Sequence, residues 1–474
     1  MQANSSFHQL RREIDEGNLT CVDIVRHYLD NINTKNPELN AFLTIYDQEA
    51  LDRAAVIDQK IADNTAGRLA GMVVGLKDVL CYQDHPLNCG SKILGDFESQ
   101  FSATCVERLL AEDAIVIGRN NCDEFAMGSS CENSAFGPVK NADNTNRVPG
   151  GSSGGSAVAV QADMCAISLG TDTGGSVRQP ASFCDVVGFK PTYSRISRHG
   201  LAAYASTFDT IGIFSNTIGD AALVLEIIAG EDTHDSTVST EEVKPYSQLL
   251  DFEGKVKIAY LKETMESDAI KPEVKEAVIK VGEELKNEGH QVDEVSFPLM
   301  EYALPTYYIL TTAEASSNLS RYDGVKYGYR VENPENLEAM YKKTRTQGFG
   351  PEVFRRIMLG TFVLSASYHD AYYIKAQKVR RLIKNKLEEL FESYDFVVLP
   401  TAPSTAFELG SKTSDPMEMY LADLFTVQAS VAGAPAISIP VAKDNDGMSI
   451  GLQVISKVFT EDKLLAFSKY LLKE

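Results

Sequence analysis

Basic charge is what this 474-residue sequence is short of: 45 lysines and arginines stand against 66 aspartates and glutamates, a formal net charge of −21. A dedicated nucleic-acid binder needs a basic footprint, so that class is excluded as the chain's own main role. Long apolar runs are missing too. No segment reaches the roughly 18 uninterrupted apolar residues of a spanning helix, and the stretch from Met1 to Ile14 lacks the apolar core of a secretory signal. A cytoplasmic protein with no membrane attachment is expected. None of the eight cysteines (Cys21, Cys81, Cys89, Cys105, Cys122, Cys131, Cys165 and Cys184) belongs to a Cys-x-x-Cys pair, which argues against a zinc knuckle or a thioredoxin-type redox pair and for small buried hydrophobes. The phosphate-loop patterns Gly-x4-Gly-Lys-Ser/Thr and Gly-x-Gly-x-x-Gly are also absent.

What is present describes an ordinary folded chain, with 44% hydrophobic and 23% charged residues. Helical spacing opens it: Phe7, Leu10 and Ile14 share one face, Thr20 caps a second helix carrying Ile24, Val25, Tyr28, Leu29 and Ile32, and Ala50 to Ile61 repeats the spacing. Short apolar runs at Met72–Leu76, Ile115–Ile117, Val256–Tyr260, Phe396–Leu399, Ala436–Ile439 and Leu452–Ile455 predict buried strands. Helices with the stripes Val274, Val278, Val281, Leu285 and Val379, Leu382, Ile383, Leu387, Leu390 lie between them. The most polar stretch, Gly230–Pro245, predicts a surface loop. No repeat, low-complexity tract or long linker divides the chain. The expected fold is therefore α/β: one large domain, 1–474, built on a central mixed, mostly parallel β-sheet covered by helices on both faces. Within it a helical segment spans about 1–65, a core about 70–215, and a part that completes the sheet about 250–474.

The unusual chemistry lies in a glycine–serine centre. Pro149-Gly-Gly-Ser-Ser-Gly-Gly-Ser156 leads into an apolar helix; Met164 to Leu169 predicts a strand; Gly170-Thr-Asp-Thr-Gly-Gly-Ser-Val-Arg-Gln-Pro180 then turns into another helix. Glycine lets the backbone turn tightly and lets a ligand approach it, and successive N–H groups in such turns can hold a developing oxyanion. Gly151-Ser-Ser-Gly-Gly155 also fits a nucleophile elbow centred on Ser153, which requires a downstream histidine; His199, His234, His290 and His369 qualify by order alone. A second route uses lysine as base: Lys77 ends the apolar run at the buried edge of a strand, where desolvation favours the neutral amine.

Gly75-Leu-Lys-Asp78, the tract 149–180 and Val187-Gly-Phe-Lys-Pro-Thr192 together resemble the amidase signature family. The resemblance implies a triad of a lysine, a bridging serine in a cis peptide and a nucleophilic serine, matching Lys77, Ser152 and Ser176, with an oxyanion hole formed by the N–H groups of Thr173, Gly174, Gly175 and Ser176. Further runs, among them Asp123-Glu-Phe-Ala-Met-Gly-Ser-Ser130, Tyr327-Gly-Tyr-Arg330, Gln347-Gly-Phe-Gly350 and Arg355-Arg-Ile-Met-Leu-Gly-Thr361, resemble the branch formed by the A subunits of glutamyl-tRNA(Gln) amidotransferases.

That branch implies glutaminase activity and a glutamine pocket in which Arg356 takes the carboxylate, Asp423 the α-ammonium and Tyr307 a wall. It implies a heterotrimer with the amidotransferase B and C subunits. No cofactor is expected in this chain, no metal site either; ATP and magnesium are expected on the B subunit, which also makes most contacts with Glu-tRNA(Gln). Two departures stand out: the polar Val427-Gln-Ala-Ser430 replaces a more apolar segment beside the pocket, and the sequence stops at Glu474 without the family's polar tail. The competing expectations are a free-standing amidase for another small amide, which shares the triad, and a catalytically idle scaffold subunit.

Overall fold

A computed structural model describes residues 4–412 and 416–474. Among these residues eleven strands form one sheet: β1 (Phe42–Ile45), β2 (Val73–Lys77), β3 (Ile115–Asn120), β4 (Ile167–Asp172), β5 (Val187–Lys190), β6 (Thr210–Ser215), β7 (Lys257–Leu261), β8 (Gln291–Val295), β9 (Phe396–Pro400), β10 (Ala436–Lys443) and β11 (Ser449–Ser456). Their order is β1-β3-β2-β4-β6-β5-β10-β11-β9-β7-β8. The sheet is mixed, as expected, but parallel pairing is the minority. Only β2 with β3 and β4, and β7 with β8 and β9, run parallel; the other six ladders are antiparallel. Apolar runs of this kind show that a strand is buried on both faces; they do not encode its direction.

The N-terminal helices form where local chemistry asks for them. Helix Phe7–Asp15 buries Phe7, Leu10 and Ile14 behind a capping box built by Ser6 and Gln9. Helix Cys21–Leu39 starts at the expected Thr20, reciprocally capped with Asp23, and buries Ile24, Val25, Tyr28, Leu29 and Ile32. Asn40 ends it in the left-handed conformation, φ 54°. Strands β2, β3 and β4 are buried along their whole length. All eight cysteines are buried and unpaired, as their scattered spacing suggested.

Four strands were not found from sequence: β1 and β8 at the sheet edges, the four-residue β5, and β6, whose apolar run is broken by Gly212. Gln291-Val-Asp-Glu-Val295 in particular is half exposed, as an edge strand tolerates. Leu382 leaves its expected stripe, standing 53% exposed while Ile383, Leu387 and Leu390 are buried. Gly230–Pro245 is irregular, yet it is pinned inward: the Asp232 carboxylate accepts hydrogen bonds from the hydroxyls of Thr104 and Ser197. Among the described residues no helix is long and apolar enough to cross a membrane.

Candidate active site

Because β2, β3 and β4 are parallel, their carboxyl ends share one edge of the sheet, the edge where open α/β sheets place ligands. Lys77, the last residue of β2, sits opposite Asn120, and β4 runs directly into the turn Asp172–Ser176. The Lys77 side chain has no access to solvent. Its ammonium donates to Ser152 Oγ at 2.7 Å, Ser153 Oγ at 2.8 Å and Thr171 Oγ1 at 2.8 Å. Three neutral hydroxyls and no carboxylate satisfy it, so burial pushes its pKa down. Once the amine is neutral, one of these bonds reverses and a hydroxyl donates to the lysine. The peptide Gly151–Ser152 is cis. Ser176 is the most open of these groups, at 7% exposure, and its carbonyl accepts from Ser153 N at 3.2 Å.

Among the described residues, the successive N–H groups of Thr173, Gly174, Gly175 and Ser176 donate to no protein acceptor, although all four residues are buried. Orphan buried N–H groups are rare, and four in sequence beside a serine hydroxyl form a cradle for negative charge. Gly175 is indispensable to it: φ is 146°, and a Cβ there would lie 2.2 Å from Thr426 Oγ1. Gly174 faces the Tyr307 ring with the same tightness, 2.4 Å from a Cβ position to Cζ.

The turn is held from below by a buried ion pair. Arg178 Nε and Nη2 bond to the Asp172 carboxylate at 2.9 and 2.8 Å; the remaining donors reach Thr426 O at 2.8 Å, Ser430 Oγ at 2.9 Å and Gln453 Oε1. Burial would raise Asp172, but the Arg178 guanidinium holds its carboxyl below the usual range. A buried arginine with every donor used is stable in place, whereas loss of either partner would cost about 3–5 kcal/mol. Here lies the reason for the polar departure at Val427–Ser430. Ser430 completes the Arg178 shell and also donates to Asp172 Oδ1 at 3.2 Å.

Opposite charges line the neighbouring space. Arg356 is buried, its guanidinium carbon 5.6, 5.3 and 5.5 Å from the ring centroids of Tyr204, Tyr308 and Tyr420. Its Nε donates to Glu352 Oε1 and its Nη1 to Tyr204 OH, both at 2.8 Å; Nη2 has no partner among the described residues. Burial would raise Glu352, but Arg356 holds it below the usual carboxylate range. Asp423, 6% exposed, accepts from Ser129 Oγ at 2.7 Å and Tyr308 OH at 3.3 Å. Burial pushes its pKa up to about 7, against the opposing pull of Ser129 and Arg356.

Both charges are wired to the glycine–serine centre. Tyr204, which holds Arg356, donates its N–H to Asp209, and Asp209 accepts from Thr173 Oγ1 at 2.8 Å. Asp423 leads to Thr426, whose N–H bonds to Asp423 O and whose hydroxyl bonds to Gly174 O at 2.6 Å. The structure thus brings together Lys77, Ser152, Ser176, the turn 173–176, Tyr307, Arg356 and Asp423, residues 77 to 423 of the sequence. It does not build the elbow alternative: His199 and His234 stack on each other, His290 faces Tyr470, and His369 is paired with exposed Asp370. Sequence reasoning named Ser153 only as a nucleophile-elbow candidate, not as a partner of Lys77, and missed Ser129, Thr171, Tyr204, Asp209, Tyr308, Glu352 and Tyr420. Only Glu352 left a signal, its i,i+4 spacing from Arg356 on helix Pro351–Val363.

Comparison with known proteins shows the family. The Amidase family model matches residues 23–465. The A subunit of the glutamyl-tRNA(Gln) amidotransferase of Chlorobium chlorochromatii is 48% identical over 471 residues, covering 98% of this chain and 99% of that one. The crystal structure of the corresponding A subunit from Thermotoga maritima superposes with a TM-score of 0.77 at 38% identity, covering 94% and 93% of the two chains. A peptide amidase from Stenotrophomonas maltophilia gives 0.84 at 26% identity, covering 99% and 97%. Overall shape therefore does not separate the amidases from one another. With the family model spanning most of its length and a near-half-identical relative covering almost all of it, this chain belongs to the amidase family.

Proposed function

We propose that the chain is the glutaminase subunit of a tRNA-dependent amidotransferase that converts Glu-tRNA(Gln) to Gln-tRNA(Gln). One observation carries the substrate assignment: buried Arg356 and Asp423 set a permanent positive charge and a carboxyl that ionises near neutrality on opposite links to the turn 173–176, spaced by tyrosines, as the carboxylate and α-ammonium of an amino acid require. Guanidinium suits a carboxylate bidentately, and a desolvated carboxylate suits an ammonium. The side-chain amide of glutamine then reaches Ser176.

In the reaction, neutral Lys77 takes a proton from Ser152 while Ser152 takes one from Ser176, and Ser176 Oγ bonds to the amide carbon. The N–H groups of Thr173 to Ser176 hold the oxyanion, a contribution of about 3–4 kcal/mol per donor in comparable sites. The C–N bond breaks as Lys77 returns the proton through Ser152 to the leaving nitrogen, which departs as ammonia. Water attacks the glutamyl ester by the same relay and frees glutamate. The ammonia passes to partners of B- and C-subunit type, which would hold the ATP and magnesium needed to activate glutamyl-tRNA; the acidic chain itself makes few tRNA contacts. The complex works in the cytoplasm.

Glutaminase and tRNA-amidation assays of the assembled complex test this. Ser176→Ala abolishes both activities, and Arg356→Ala raises the KM for glutamine at least tenfold. Unchanged glutamine kinetics in the Arg356 variant would favour a free-standing amidase for another amide.

A further inference from the structure

We propose that Gln179 is a positioning residue that locks the ammonium end of the pocket in register with Ser152, a role that rests on the reading of that pocket as the glutamine site. Gln179 lies one turn beyond the nucleophile in helix Arg178–Phe183, wholly buried. Its N–H bonds to Gly175 O at 2.8 Å. Its side chain bridges two other segments: Oε1 accepts from Gly151 N at 3.0 Å, and Nε2 donates to Ser129 O at 3.0 Å. Gly151 begins the cis peptide to Ser152, and Ser129 holds Asp423 through its hydroxyl. A single amide therefore joins the turn of the nucleophile, the peptide of the bridging serine and the residue that orients the ammonium acceptor.

The chemistry of the bridge is specific. It needs an acceptor and a donor side by side on one planar group, as a primary amide offers, and asparagine is one methylene shorter. Glutamate would accept from Gly151 but would set a carboxylate against the Ser129 carbonyl; methionine would serve neither. The space is closed as well: a Cβ on Gly150 would lie 2.4 Å from Oε1. Substrates anchored at Asp423 depend on this register. Those anchored by Arg356 alone depend on it less, through the Ser152 peptide only.

The test compares glutamine with glutaramate, the deaminated analogue that keeps carboxylate and amide but lacks the α-ammonium, in the assembled complex. Gln179→Met and Gln179→Glu are expected to lower kcat/KM for both substrates through the Gly151–Ser152 peptide, and to lower it for glutamine about tenfold further than for glutaramate, as misplacement of a reacting group does. Ser129→Ala, which cuts the same path at its pocket end, should narrow the preference equally and add little on top of Gln179→Glu. Gln179→Asn, whose amide is one methylene too short to span both partners, should narrow the preference in the same way and decides the matter where the other Gln179 variants fold poorly. Equal losses for both substrates, or an intact preference, would overturn the proposal. A wild-type complex that does not prefer glutamine would overturn the pocket reading and the proposal together.

Discussion

Asp423 should make the site less stable than it needs to be, and Asp423→Asn measures by how much. The folded chain holds this carboxyl near 7 through burial, against an ordinary value of 3.8. The folded state thus binds its proton more tightly than the unfolded state does. Its contribution to stability is greatest at low pH and is lost as pH rises from about 4 to about 7. Above that range, keeping the group ionised costs about 4 kcal/mol, taking 1.36 kcal/mol for each pH unit between the two values. Asparagine removes that cost and still accepts from Ser129 Oγ, while its own buried NH₂ group takes back part of the gain. A net gain of about 2–4 kcal/mol at pH 8 corresponds, at about 1 kcal/mol per kelvin of unfolding entropy for a chain this long, to a Tm increase of about 2–4 °C. At pH 5 the advantage should fall to less than half. Thermal unfolding of both proteins at the two pH values reads this directly, alongside a raised KM for glutamine in the variant. A variant less stable than the wild type at pH 8, or a difference independent of pH, would refute the reasoning.

Other outcomes follow from the same geometry. The KM for glutamine should rise about tenfold between pH 8 and pH 6, because the ionised fraction of a group titrating near 7 falls by about that factor; a flat KM across this range contradicts the role given to Asp423. Lys77→Arg should fold but lose about a thousandfold or more in kcat with little change in KM, since a guanidinium cannot give up its proton near neutrality; single-turnover acylation measures it. Gly175→Ala should lower Tm and disable acylation: the Cβ at 2.2 Å from Thr426 Oγ1 and the φ of 146° make a cost of about 1–3 kcal/mol the minimum.

Legibility in the sequence depended on whether a partner lay nearby. Lys77 was legible because an apolar run ended on a lysine, and Ser152 and Ser176 because glycine-rich turns flank them within one continuous tract. Glu352 shares a helix turn with Arg356 and was open to the same kind of reading. Asp423 and Ser129 meet across 294 positions, and Tyr204 reaches Arg356 across 152; no local pattern encodes such meetings. The family resemblance supplied Arg356, Asp423 and Tyr307 without the tyrosines and hydroxyls that hold them. For the sheet, burial was readable and direction was not, so the antiparallel half, including β5 between β6 and β10, emerged only in three dimensions. The polar Val427–Ser430 segment looked like a departure until Arg178 showed what Ser430 serves.

The Thr426 hydroxyl that closes over Gly174, and the Gln453 amide that completes the Arg178 shell, are the last parts of the centre to be translated. A ribosome that has made every residue of the tract 149–180 has still not made a working hydrolase. The loop cannot settle until β11, some 270 residues later, has left the exit tunnel and joined β10.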